Sequence, residues 1–200
     1  MPDVPRDFPD LLLDALVAAL TLSSGEHSAV LQYTVKRDKT GAITKTDIPL
    51  VNLWCAEERP EEGQSGAHKT ARYTAVVNFD LYARGEEQED DSDYVEADQA
   101  AASRLAYLRA QVRHAIKRLS NMDMGFGAGT IASVSWPSWQ MFQEGDRTPF
   151  PAENVLGGRL SVEFSYEWSP EDISGDALNL ATVTDSTKAL WAAQFTGGVT

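Results

Sequence analysis

The stretch GEEQEDDSDYVEAD, residues 85–98, sets eight carboxylates (Glu86, Glu87, Glu89, Asp90, Asp91, Asp93, Glu96 and Asp98) into fourteen positions without a lysine or arginine. Oxygen ligands at that density suggest a calcium loop. A loop of the EF-hand type needs oxygens at alternating positions, glycine at the sixth for the sharp turn and glutamate at the twelfth. Counted from Asp91 the sixth position is Glu96, and counted from Glu87 it is Ser92, so neither register can turn. The spacing predicts an acidic connector whose charged body is Glu86, Glu87, Glu89, Asp90, Asp91 and Asp93, with no metal site and no cofactor.

Other residues that could do chemistry lack partners at useful spacing. Cys55 is the one cysteine, and His27, His68 and His114 are too scattered to supply it with a base. A thiol closing an apolar run reads as core packing. Ser133, Ser135 and Ser138 sit in alternating strand context without the G-x-S-x-G elbow of a hydrolase. Glu163 and Glu167 lie four apart on one strand face, where solvent-facing acids are ordinary. MGFGAG, residues 124–129, follows a helical pattern and precedes a strand. A phosphate cradle needs the glycines to lead into a helix, with a Lys-Ser/Thr pair in the triphosphatase version. No catalytic residue is assigned, and the chain is expected not to be an enzyme. Of the five tryptophans, Trp168 continues an inward alternation. Trp139, Met141 and Phe142, beyond Pro137, and Trp191 with Phe195 near the C-terminus are assigned to subunit contacts, where aromatics are enriched.

The elements that would carry these residues follow from periodicity. PDLLLDALVAALTLSSG reads as a helix with Pro9 in its first turn and Gly25 as its stop. Its longest apolar run, DLLLDALVAAL, is interrupted by Asp14 and falls short of a bilayer span, so no membrane is expected. Residues 29–48 read as a β-hairpin around RDKTGA, and residues 50–56 as a strand apolar on both faces. Residues 57–69 are a loop by composition. RYTAVVNFDLYA is a long, half-buried strand, and residues 97–121 are the clearest helix, with Ala101, Leu105, Leu108, Val112, Ile116 and Leu119 as its apolar stripe. Glu96 and Asp98 at its start and Lys117 and Arg118 near its end complement the helix dipole. TIASVSWPSWQMF is a strand that Pro137 confines to an edge or a bulge. GGRLSVEFSYEW alternates cleanly, and residues 171–200 form an arm of small residues that needs a surface to lie against.

The 200 residues suit one domain with an appendage. Thirty acidic residues against seventeen basic ones, a net charge of −13, argue against a protein whose main business is gripping phosphates. The lone cysteine allows no intrachain disulfide and favours an intracellular or intracellularly assembled protein. MPDVPRDFPD is acidic and proline-punctuated where an export signal would be basic and then apolar.

The order helix, hairpin, central strand, loop, long strand, long helix and two-stranded finish is similar to that of the tail terminator (tail completion) proteins of tailed bacteriophages. The resemblance covers residues 7–169 and rests on PLVNLWC, TARYTAVVNFDLYARG, RLAYLRAQVRHAIKRL and RLSVEFSYEW. It implies an α+β fold: a mixed, mainly antiparallel sheet with two helices packed on it, plus an extra β-hairpin and a C-terminal arm. Residues 1–170 would be the terminator-like domain and 171–200 the arm. It also implies a homo-hexameric ring at the tail-neck junction of the virion, assembled in the host cytoplasm, that caps the tail tube and ends its polymerisation. Its partners would be the tail tube protein and the head connector or stopper, with a sheath protein as a further candidate. DNA would pass the lumen without specific binding, eased by carboxylates within a Debye length of about 8 Å. Another neck component, or an adaptor or chaperone-like binding protein of the host cytoplasm, shares the acidity and the lack of a site.

Overall fold

A strand with apolar side chains at every second position buries one face against whatever covers it. The computed structural model, which describes residues 7–26, 31–38, 40, 43–61, 71–85, 88–90, 93–120, 124, 126, 130–142 and 154–168, puts one of the two longest such strands at the centre. Strand β3 (Ala71–Arg84) lies between β2 (Leu50–Pro60) and β7 (Val155–Trp168), antiparallel to both. Outside β2 runs β1 (Thr34–Arg37), parallel to it, and outside β7 runs β6 (Ile131–Met141), antiparallel. The sheet order is β1-β2-β3-β7-β6, mixed and mainly antiparallel. Helices α1 (Phe8–Glu26) and α2 (Ala97–Ser120) pack on one face, which makes the fold α+β.

One apolar cluster joins the layers. Leu12, Leu16 and Leu20 of α1 and Leu105, Leu108, Val112 and Ile116 of α2 meet Leu53, Val77, Phe79, Leu160, Val162 and Phe164 of the sheet. Each fully buried side chain of this kind contributes about 1.5–3 kcal/mol of transfer free energy. The Phe8 ring stacks on Tyr166 with centroids 4.1 Å apart and closes the end of this core.

Helix α1 begins where the Asp7 carboxylate accepts the Asp10 amide at 3.1 Å, an N-cap that satisfies one of the free first-turn donors. The helix runs nineteen residues, longer than its apolar run, and by length and composition it would suffice to cross a bilayer. Of that apolar window 56% is buried inside the fold, as in a core helix. Ser24 ties its end to the chain before β1: its hydroxyl donates to the Tyr33 carbonyl at 2.7 Å and accepts the Tyr33 amide at 2.9 Å. Arg37 on β1 reaches Asp10 and Asp14 of α1, the latter at 2.6 Å. Burial alone would lower the pKa of this guanidinium, but the carboxylates of Asp14, Asp38 and Asp10 outweigh it and raise it.

Three expectations change form. The hairpin over 29–48 is, among the described residues, a single strand followed by a crossover. A parallel neighbour cannot be reached by a tight turn and needs about a dozen connecting residues, and 38–49 supply them. The threonines and Asp47, which suit a strand by alternation, instead make a 3-10 turn at Lys45–Asp47, where Asp47 accepts from the Thr44 amide at 3.0 Å and the Thr44 hydroxyl at 2.8 Å. Ile43 and Ile48 then cover the far face of the sheet with Leu50, Tyr82 and Val155. Residues 57–60 are not loop: β2 continues through them, past a bulge between Cys55 and Glu57, because β3 is long enough to pair with them. The acidic connector contains an antiparallel ribbon, β4 (Gln88–Asp90) with β5 (Asp93–Val95).

The expectation for Pro137 is met in both senses. Among the described residues strand β6 is the sheet's edge, and its register with β7 shifts between Ser135 and Ser138. Helix α2 starts with Asp98 in its first turn and ends with Lys117 and Arg118 in its last. The C-terminal arm lies outside the described residues.

Candidate interaction surfaces

A sheet with both helices on one face has a second face for its alternate residues, and here, beyond the small apolar cluster around Tyr82, those residues are mostly polar. Across the middle of it, register aligns Asn52, Asp80, Arg159 and Gln140 on neighbouring strands. Arg159 donates from Nε to Asp80 Oδ1 at 2.6 Å and from Nη2 to Oδ2 at 3.0 Å. The Trp54 ring lies 5.1 Å from this guanidinium, and the Trp54 Nε1 proton points to Asp80 at 3.4 Å. Beside this row the Ser161 hydroxyl donates to Asn78 at 2.7 Å. Farther along, Arg59 meets Glu163 at 3.4 Å and Arg72 meets Glu167 at 2.5 Å. The two acids expected to face solvent are thus partners of arginines. Charges neutralised this way within the chain leave little field for an outside ligand.

The corner between α2 and the edge strand differs. Trp136 and Met141 on β6 are 36% and 45% exposed. Arg113 lies over Trp136 at 5.9 Å and Arg109 over Trp139 at 4.8 Å, cation-π contacts of about 0.5–1 kcal/mol at exposed sites. Arg113, His114, Lys117 and Trp136 line an open groove of about 380 Å³. Arginines 109 and 113 and Lys117 recur every four residues, which puts them along one side of the helix.

The structure separates the residues assigned to subunit contacts. Trp139 is half-buried against the core, its ring lying over β7 where a Cβ on Gly158 would come within 2.6 Å of it. Met141 is exposed at the same edge. Phe142 turns to the opposite face and packs on Tyr82, with centroids 5.6 Å apart. Trp191 and Phe195 lie outside the described residues. Of the acidic body, Glu86, Glu87 and Asp91 lie outside them too, while Glu89 and Asp90 fall on β4 and Asp93 on β5. Glu96 and Asp98, at the start of α2, are exposed. Sequence reasoning passed over Trp136, although Val134 and Trp136 share a strand phase, and passed over the α2 cations beside it.

Reactive groups are subdued. Burial pushes the Cys55 thiol above its ordinary value, and Sγ rests 3.5 Å from the Glu57 carbonyl. A thiol so placed is a poor nucleophile. Burial, then the hydrogen bond and charge of Glu58, hold the Tyr166 phenol protonated well above its usual range. Among the described residues no group of three or more His, Cys, Asp or Glu could hold a metal ion.

No protein-family model matches the chain, and no curated protein matches it significantly. The arguments about function therefore rest on the surfaces themselves.

Proposed function

We propose that the protein is a structural, non-enzymatic component of a phage tail, a terminator that forms a ring on the end of the tail tube and offers the joint to the head connector. The observation that carries the reading is the edge of the sheet. Among the described residues strand β6 pairs on one side only, and it presents Trp136 and Met141 beside a cationic helix flank. Natural proteins blunt or cover such edges, and exposed aromatics beside them mark contact surfaces. The order of elements from Phe8 to Trp168 supports the same reading, since two helices backing a mixed sheet whose edge strands, among the described residues, pair on one side is a unit suited to side-by-side repetition. The acid balance suits a lumen through which DNA slides without being held.

Light scattering after size exclusion, over a range of concentrations, with negative-stain imaging of any large species, tests this. A six-membered ring with an open centre is the expected outcome. A monomer at every concentration, and also when mixed with tail tubes, would sink it.

A further inference from the structure

Helix α2 gives one side to the core, where Leu105, Leu108, Val112 and Ile116 are buried, and leaves the other side open along its length. Asp98, Ala102, Ala106, Tyr107, Ala110 and Arg113 are all exposed there, Tyr107 by 36%. The outer side of a core helix ordinarily carries charged and polar residues throughout. Here the charges stand at its ends, and the middle is small residues and one tyrosine. One turn after Tyr107, Gln111 is 5% exposed, and among the described residues neither end of its amide has a partner. A helical side chain leans back over the preceding turn, which puts this unsatisfied amide beside Tyr107 at the margin of the open face.

The charges are arranged with opposite signs about a centre. Ala102 and Ala110 lie four residues before and after Ala106, Asp98 lies eight before it and Arg113 seven after it. Glu96, ten before, and His114, eight after, repeat the order on the margin that carries Tyr107. Two such helices set antiparallel across a two-fold axis at Ala106 bring Ala102 opposite Ala110 and Asp98 opposite Arg113, twice over. Set parallel, they would place Asp98 on Asp98 and Arg113 on Arg113. Alanines at the crossing let helix axes approach to about 8 Å at a shallow angle. From Asp98 to His114 the contact would run about 24 Å at the helical rise.

We infer that the open face of α2, centred on Ala106, is the docking surface for the same face of a second copy of this chain, run antiparallel. A copy is favoured over a different protein because the pattern is its own complement: small residues against small residues, and an acid against a cation at both ends. The contact goes beyond the ring proposed above. It is isologous and closes with two copies, so it pairs chains, or one ring with another, and does not build the ring.

The test is a charge swap between two versions of the full chain. Asp98→Arg opposes like charges at the partner's Arg113, and Arg113→Asp opposes them at the partner's Asp98. Each variant alone is expected to need about tenfold or more concentration for half-association, read by sedimentation velocity. Mixed one to one they are expected to associate as the parent does, because both pairs then join opposite signs, a rescue that misfolded chains cannot produce. Ala106→Arg, at an exposed position, should abolish the association while the thermal unfolding midpoint of the chain holds. A parent that shows no association, or whose association ignores these changes, overturns the α2 surface, and rings of six seen in the same runs would still stand. A parent that pairs through α2 and never makes a ring, alone or on tail tubes, keeps the surface and overturns the ring. Loss of binding to tail tubes in Ala106→Arg, with self-association unchanged, would give the face to a different protein and overturn the second copy.

Discussion

Arg159 grips the Asp80 carboxylate with two hydrogen bonds, 2.6 and 3.0 Å long, on the sheet face turned away from both helices. The two residues are directly opposite in the β3–β7 register, and Asp80 keeps only a tenth of its side chain exposed. A carboxylate so enclosed is stabilised by its partner more than by water, which makes the pair sensitive to loss of one member.

Truncating Arg159 to alanine is expected to cost about 1–3 kcal/mol, less than for a fully enclosed pair because the arginine side chain is itself 36% exposed. The Asp80→Asn, Arg159→Ala double variant should cost less than the sum of its two single changes. Urea unfolding of all four proteins gives the cycle, and additivity within about 0.3 kcal/mol would show the pair to be uncoupled.

Gln111 on α2 is 5% exposed, and among the described residues neither its amide nitrogen nor its amide oxygen has a hydrogen-bond partner. A buried amide left unpaired costs about 1–3 kcal/mol. Gln111→Leu is therefore expected to be neutral or to raise stability by about 1 kcal/mol, measured as a shift in the urea midpoint at constant slope. A loss above about 1 kcal/mol would mean that the amide is satisfied in solution.

Alkali should weaken the fold before acid chemistry of these groups matters. The phenols of Tyr33 and Tyr166 both titrate above their ordinary 10.0, through burial first, joined by Glu58 in the case of Tyr166. Above pH 10 the unfolded chain gives up these protons while the folded one keeps them, so protons bound in the unfolded state are fewer and stability falls as pH rises. The slope is up to about 1.4 kcal/mol per pH unit for each phenol. Denaturation at pH 8.5 and 11 reads it, and Tyr166→Phe should flatten the loss. An unchanged slope in that variant would remove Tyr166 from the account.

Gly85 sits where any side chain would meet the helix backbone at Ala97 and Ala101. Gly85→Ala must push the ribbon's base off the start of α2, at a cost of about 1–3 kcal/mol typical of overpacking. Thermal unfolding checks the loss.

Much of this architecture is local and can be read from the chain. Residues 97–121 repeat with helical period, β3 and β7 with a period of two, and a proline in TIASVSWPSWQMF has no N–H to donate to a ladder. These patterns decide which face of an element is apolar because burial acts residue by residue. They also placed the serines of β6 and Glu163 and Glu167 on the polar face, where register aligns Ser135 with Glu163 and Arg72 with Glu167.

Pairing partners are another matter. That β1 lies parallel to β2, with Arg37 reaching Asp10 and Asp14 of α1 more than twenty residues earlier, is a long-range relationship that periodicity does not encode. So is the close approach of Gly85 to Ala97 and Ala101 of α2. Asp80 met Arg159, and Arg113 met Trp136, only when the sheet order was set. Sequence by itself determined the two helices, the strands β3 and β7 and the faces they bury, through nearest-neighbour sterics and burial. Tertiary structure decided which charges pair with which, as Asp80 with Arg159 and Glu167 with Arg72, because that depends on contacts between residues far apart in the chain.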